Sequence, residues 1–368
     1  MRTLSCLLLS LIIAAGVFAQ HVPAPIVTDA SGFAHQVKLF QGAEETRYRQ
    51  LVSPVSVSIP FGSGHLKAES AFMYVQIEDT DGRRDISGPL DTQISGEWRL
   101  GNAMITGYAN LPSGLDSLDA NEAGMVRALT RNDLNFPVKA FGHGLDFGGA
   151  ITLGKQVGHW AISAGGGYLK RGSYSPFVGV SDYEPGDEVT VTGGVGYTVG
   201  GLTLGADLAG KMIRMDRMGG VIVFRNGKQF TGVGSLLYES RVLRLHATVT
   251  EIVRLKDVGT RAGAPLYEAS DSNGNDLRAD GRLEIRPLEG LTVFGEAHFK
   301  NLTENAYDPS DELYHGAARL WAYGGGVSVK IGSTEALTVR VMKGDGWIND
   351  RSDDVETLNG RVSVRLYF

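Results

Sequence analysis

The chain has 368 residues, of which 50 are glycine, 42% apolar and 21% charged, with a formal net charge of −6. Glycine at about twice ordinary usage without a Gly-X-Y period excludes collagen, and the apolar content excludes a disordered chain. After residue 20 no apolar run approaches the ~18 residues of a transmembrane helix, and the acidic balance leaves no electrostatic footprint for nucleic acid.

Residues 1–20 read as a secretory signal peptide. Arg2 precedes an apolar stretch from Leu4 to Phe18, and small residues lead to expected cleavage near Ala19/Gln20. Cys6 falls inside this segment, so the mature chain has no cysteine. A disulfide scaffold, a thiolate metal site and a cysteine nucleophile are thereby excluded.

From residue 33 onward, segments of about ten residues alternate apolar and polar positions, the period of half-buried strands. Val189, Val191, Val195, Tyr197 and Val199, for example, interleave with Glu188, Thr190, Thr192 and Thr198. Strands are expected at 33–41, 47–61, 65–78, 90–100, 103–111, 137–153, 159–169, 188–199, 202–213, 229–239, 242–254, 278–287, 291–301, 316–331, 337–343 and 357–368. Tight glycine-bearing turns alternate with longer polar connections at 79–89, 112–136, 170–187, 214–228, 255–277, 302–315 and 344–356. Short turns at one end and long loops at the other are the habit of a transmembrane antiparallel up-and-down β-barrel. The expected fold is therefore all-β, one barrel over 33–368 after a short periplasmic segment at 21–32. About 16 strands are expected, with 14 as the alternative, and the count must be even if both ends are periplasmic.

Gly165–Gly167 and Gly324–Gly326 lie inside strand patterns, either as relief for a sharply coiled closed sheet or as β-bulges. Trp160 and Tyr168 are eight residues apart on one face, as are Phe230 and Tyr238. Eight tilted residues project to about 20 Å, near the spacing of the aromatic girdles of a membrane barrel. Trp321 and Tyr323 fit the outer girdle.

At the chain end, Val362, Val364, Leu366 and Phe368 alternate with Arg361, Ser363, Arg365 and Tyr367. This segment resembles the terminal strand of bacterial outer-membrane β-barrels, which the barrel-insertion machinery reads through a final Phe and alternating apolar positions. Leu366 stands where an aromatic is more usual. The resemblance implies a place in the outer membrane of a Gram-negative-type envelope, with membrane lipid and the insertion machinery as partners.

With the apolar face towards lipid, the alternate residues point into the lumen. The expected wall comprises Arg244, His246, Arg282, Glu284, Arg286, Glu296, His298, Lys300, Arg340, Arg361 and Arg365. It is predominantly basic, which reads either as an anion-favouring pore or as a ladder of structural salt bridges. The longest connection carries helical spacing, with Asp119 or Asn121 as cap and an end near Thr130. Its Asp116, Asp119, Glu122 and Arg127 would form a constriction if the loop folds inward, whereas on the outer rim they would not.

The Leu-Pro-Ser-Gly segment at 111–114, its helical continuation and Asn-Phe-Pro-Val at 135–138 together resemble the FadL-type transporters of hydrophobic compounds and related aromatic-degradation proteins. That likeness covers some 30 residues and implies passage of apolar molecules. The N-terminal hatch of FadL-type proteins has no counterpart in the dozen residues at 21–32. No plug domain of the TonB-dependent kind is expected either.

No residues show metal-ligand or serine-nucleophile spacing, so neither catalysis nor a cofactor is expected. Asp271–Asp276 has calcium-loop oxygen spacing but lacks the distal glutamate and reads as a loop tip. The expected function is a channel or transporter for passive passage of small solutes. The alternatives are a FadL-like conduit and a non-conducting surface or scaffold barrel that binds through its loops.

Overall fold

The computed structural model describes residues 25–368 except 116, 180–181, 262–263 and 333–334. The segment at 1–20 expected to be a signal peptide lies outside the described residues. In chain order the first half comprises β1 (Val27–Gln41), β2 (Glu44–Phe61), β3 (Gly64–Asp79), β4 (Gly82–Pro89), β5 (Thr92–Leu100), β6 (Ala103–Leu111), α1 (Ala120–Thr130), β7 (Asp146–Val157), β8 (Trp160–Lys170), β9 (Tyr183–Glu184), β10 (Glu188–Val199) and β11 (Leu202–Ile213). The second half comprises β12 (Asp216–Met218), β13 (Val221–Arg225), β14 (Gln229–Glu239), β15 (Leu243–Arg254), β16 (Val258–Arg261), β17 (Ala264–Tyr267), β18 (Asp276–Leu288), β19 (Leu291–Leu302), β20 (Ala318–Ile331), β21 (Glu335–Ile348) and β22 (Asp353–Tyr367).

Seventeen of these strands form one antiparallel sheet that closes on itself. The seam is continuous from Val27↔Tyr367 to Gln41↔Asp353, and Ile26 and Phe368 exchange backbone hydrogen bonds of 3.0 and 2.9 Å beyond it. β4 and β5 are two halves of one stave, so the barrel has 16. The pairing with β3 shifts by one residue between Phe72↔Pro89 and Glu69↔Gln93, which makes a bulge at Leu90-Asp91. A closed barrel satisfies every ladder hydrogen bond internally, which is what lets a sheet cross lipid.

Several sequence expectations are corrected. The first strand starts at Val27, because residues 27–32 pair with both β2 and β22. The connection expected at 79–89 is a hairpin whose return arm is β4, turning at Thr80-Asp81. Most of 344–356 is also strand, interrupted by one 3₁₀ turn at Asn349–Arg351. The strand expected from 137 begins only at Asp146. Three of the long connections are not plain coil: β9, β12, β13, β16 and β17 form a separate five-stranded sheet at the long-loop end. There the Tyr183 phenol is pushed up by burial and by its donation to Asp216.

The glycine runs carry no bulge, since register is unbroken through both. They make room instead. A Cβ on Gly326 would sit 2.1 Å from the Val339 carbonyl oxygen and 2.6 Å from the Phe294 ring, and one on Gly324 2.1 Å from the Val341 oxygen. Gly326→Val is expected to destabilise the barrel by roughly 2 kcal/mol or more. Loss of the heat-modifiable band on electrophoresis checks this; an unchanged band would refute the crowding argument.

Candidate functional site

Register fixes which residues share a face. From β5 to β22 the chain of cross-strand partners Asn110↔Asp146, Thr192↔Gly165, His246↔Arg282, Arg282↔Glu296 and Arg340↔Arg361 stays on one side. That side is the interior, because the loop enclosed by the barrel hydrogen-bonds to it. The other side is apolar and bare: Leu208 is 71% exposed, Leu153 59%, Ile162 58% and Val341 55%. Such a continuous apolar surface belongs in hydrocarbon rather than water.

Aromatic residues border that surface at both ends. Near the tight turns, Phe61 meets Trp98 (ring centroids 6.0 Å apart) and Trp160 meets Tyr197 (4.9 Å). Towards the long loops, Phe299 stacks with Trp321 at 4.2 Å, and Tyr168 and Phe230 face outward on β8 and β14. Two girdles about one membrane core apart are the expected frame of a spanning barrel.

The connection from Pro112 to Leu145 turns into the lumen. Asp119 caps α1 through a reciprocal capping box with Glu122, each accepting the other's backbone N–H (2.8 and 2.9 Å). The helix buries Met125 and Leu129 in one cluster with inward-facing Val37, Leu39, Val75, Ile77 and Ile86. Beyond it, 131–145 spans the interior as a plug. Gln50 on β2, wholly buried, donates to the Val138 carbonyl at 2.7 Å. Lys300 on β19 donates to the Asn132 carbonyl and approaches Asn135 Oδ1 (3.4 Å). Phe136 sits edge-on to His35 (5.2 Å) and Tyr48 (5.9 Å). Burial, with Arg254 and Arg278 nearby, pushes the Lys139 ammonium down.

The plug residues that meet the wall include Asn132, Asn135, Phe136 and Val138, and at its far end the His143 N–H donates to Asp91 (2.7 Å) while Asn110 donates to the Gly144 carbonyl (2.9 Å). Asp119, Glu122 and Arg127 stay on the helix and make no ion pair with the wall among the described residues. The oppositely charged constriction expected from them is not formed. Asp116 lies outside the described residues.

All eleven wall residues expected from the sequence fall on the inward register. Glu296, 5% exposed at its side chain, accepts from Arg282 (2.6 Å) on β18 and from Arg340 (3.1 Å) on β21. The second contact reaches across β20, where Gly324 leaves the way open. Arg282 also pairs with Glu284 (2.7 Å) and lies over the Phe294 ring at 3.9 Å. Arg286 meets Glu239 (3.3 Å), Arg365 meets Asp29 (2.6 Å) and His298 bonds Asp280. Arg244 makes no ion pair among the described residues, and Arg361 reaches only Ser31 Oγ at 3.4 Å.

Glu296→Gln would leave Arg340 beside Arg361 with neither neutralised. Because both arginines are partly solvated, the expected loss is about 2–4 kcal/mol, at or below the range for breaking a buried pair. Urea unfolding followed by tryptophan fluorescence measures it, and no change would show the ladder to be energetically idle.

Sequence reasoning missed His35, Gln50 and Phe294. His35 and Gln50 carried a signal, as polar residues in phase with Val37, Leu39 and Val52 on one face of their strands. Phe294 carried one too, as an aromatic in phase with Glu296 and His298. The calcium-like run at 271–276 splits: Asp271 accepts from the Asn273 N–H (3.0 Å), and buried Asp276 holds Arg278 (2.6 Å).

No family model and no curated protein matches the sequence. Among solved structures, a TodX mutant described as a monoaromatic hydrocarbon channel is similar at TM-score 0.49 and 11% identity, covering 95% of this chain and 92% of that one. Pseudomonas aeruginosa OccK9 gives 0.47 and 11% (94% and 99% covered), and Acinetobacter baumannii OccAB1 gives 0.47 and 9% (93% and 97%). The assignment rests instead on the closure, alternation and girdles of this chain. With hydrocarbon demanded by one face of the sheet and charge carried on the other, the chain is a closed antiparallel β-barrel of 16 staves built to span a membrane.

Proposed function

We propose that the protein is a channel of the bacterial outer membrane through which small solutes pass down their gradients, around a plug that narrows the lumen, with anions favoured. One observation carries this reading: the interior holds a charged wall and an inward-folded loop at once, which is the layout of a constricted aqueous path. The anion preference follows from an incomplete ladder on the β15–β22 side of the wall. Arg244, Arg282, Arg286, Arg340, Arg361 and Arg365 outnumber their partners Asp29, Glu239, Glu284 and Glu296.

Planar-bilayer recording from refolded protein tests it. Discrete ion currents with a reversal potential on the anion side are expected. A verified barrel without channel events would contradict it, and would favour a conduit for apolar molecules or a scaffold barrel. The outward row Val362, Val364, Leu366 and Phe368 is proposed to serve barrel insertion. Phe368, 72% exposed, has its ring free for recognition.

A further inference from the structure

Below the plug tip the lumen opens into a chamber of about 260 Å³, roofed by Asn135 and Pro137. A compartment of about 160 Å³ adjoins it and shares His35, Asn135, His298 and Asn359. Arg340 and Arg361 line the larger chamber and are Cα partners on neighbouring strands. Like charges directly opposite repel. Glu296 engages one terminal nitrogen of Arg340, while Arg340 Nε is buried without a hydrogen-bond partner. His35 Nε2 is buried without one too, although Nδ1 is held by Asn359. Buried polar atoms left in this state are rare in native structures and call for a missing partner.

Beside the arginines the lining is apolar: Phe33 is the Cα partner of Arg361, Met342 lies two residues from Arg340 on β21, and Ala322 lines the same chamber. With Glu296 offsetting one of the two arginines, the chamber carries roughly one uncompensated positive charge. Guanidinium groups pair best with flat or tetrahedral oxyanions through paired N–H bonds. We infer that this chamber is a binding site for a small amphiphilic monoanion, its oxyanion head between Arg340 and Arg361 and its short apolar body against Phe33, Ala322 and Met342.

The inference deepens the channel reading and rests on its solvent-filled lumen. The test is titration calorimetry of the full barrel in detergent with hexane-1-sulfonate and hexanoate, and with hexan-1-ol as the uncharged control. Saturable binding of both anions is expected, with the alcohol at least tenfold weaker. Arg361→Met should weaken hexane-1-sulfonate at least tenfold. Ala322→Phe keeps both arginines but fills the chamber and should abolish binding; it decides the matter where Arg361→Met yields no folded barrel. Binding of the alcohol as tight as that of the sulfonate, or unaltered binding in Ala322→Phe, would overturn the site. Ion currents without anion binding would remove the site and leave the channel standing. Binding without currents would uphold the site and remove the channel.

Discussion

Replacing residues 119–140 with a short glycine–serine bridge is expected to raise single-channel conductance roughly three- to tenfold, because a barrel of this strand number has an aqueous interior once nothing fills it. The plug is held by contacts the bridge removes: Gln50 to Val138, Lys300 to Asn132, and Phe136 against His35 and Tyr48. Its removal also exposes Val37, Leu39, Val75 and Ile77 to lumen water, so lower thermal stability should accompany the larger currents. The staves keep their ladder, which is the part of the fold that lipid enforces. Bilayer recordings at fixed salt make the comparison. Unchanged conductance would mean that ions do not pass beside the plug.

Arg244→Glu combined with Arg361→Glu should reverse the sign of ion selectivity. Of the eleven wall residues, these two arginines have no carboxylate partner among the described residues, so exchanging them changes the interior charge without dismantling the Arg282–Glu296–Arg340 bridge. In a potassium chloride gradient at about 0.1 M, where screening extends over roughly 10 Å, the reversal potential is expected to move from the anion to the cation side. At about 1 M, where the screening length falls to roughly 3 Å, both proteins should converge towards weak selectivity. A reversal potential indifferent to the exchange would leave the wall a structural ladder and nothing more.

Much of the barrel was legible because lipid and water read alternate residues of a strand. That constraint left its mark in every stave, from Val189–Val199 to the terminal Val362–Phe368 row, and in aromatic pairs such as Trp160 and Tyr168. The eleven wall residues followed from the same phase. What the pattern hid lay where the outward side chains are not large and apolar. Residues 27–32 are strand beside the terminal row, but their outward positions Thr28, Ala30 and Gly32 are small or polar and leave little alternation. In 79–89, charged residues such as Arg83 and Asp85 occupy the hairpin. The plug was foreshadowed by its helix and its Asp119 cap, but its direction was not. Entry into the lumen is decided by partners far away in sequence, Gln50 and Lys300, which no local periodicity connects to Asn132–Val138. Asp119 and Glu122, which looked suited to a constriction, are spent on capping the helix instead.

A single-cysteine scan along β15 tests the central claim most directly, since Cys6, outside the described residues, is the one cysteine of the sequence. In the lipid-reconstituted barrel, cysteines at 244, 246 and 248 are predicted to react with a charged water-soluble thiosulfonate. Those at 245, 247 and 249 should react only with a lipid-phase maleimide. Equal aqueous labelling at all six positions would contradict a barrel with hydrocarbon outside and water within.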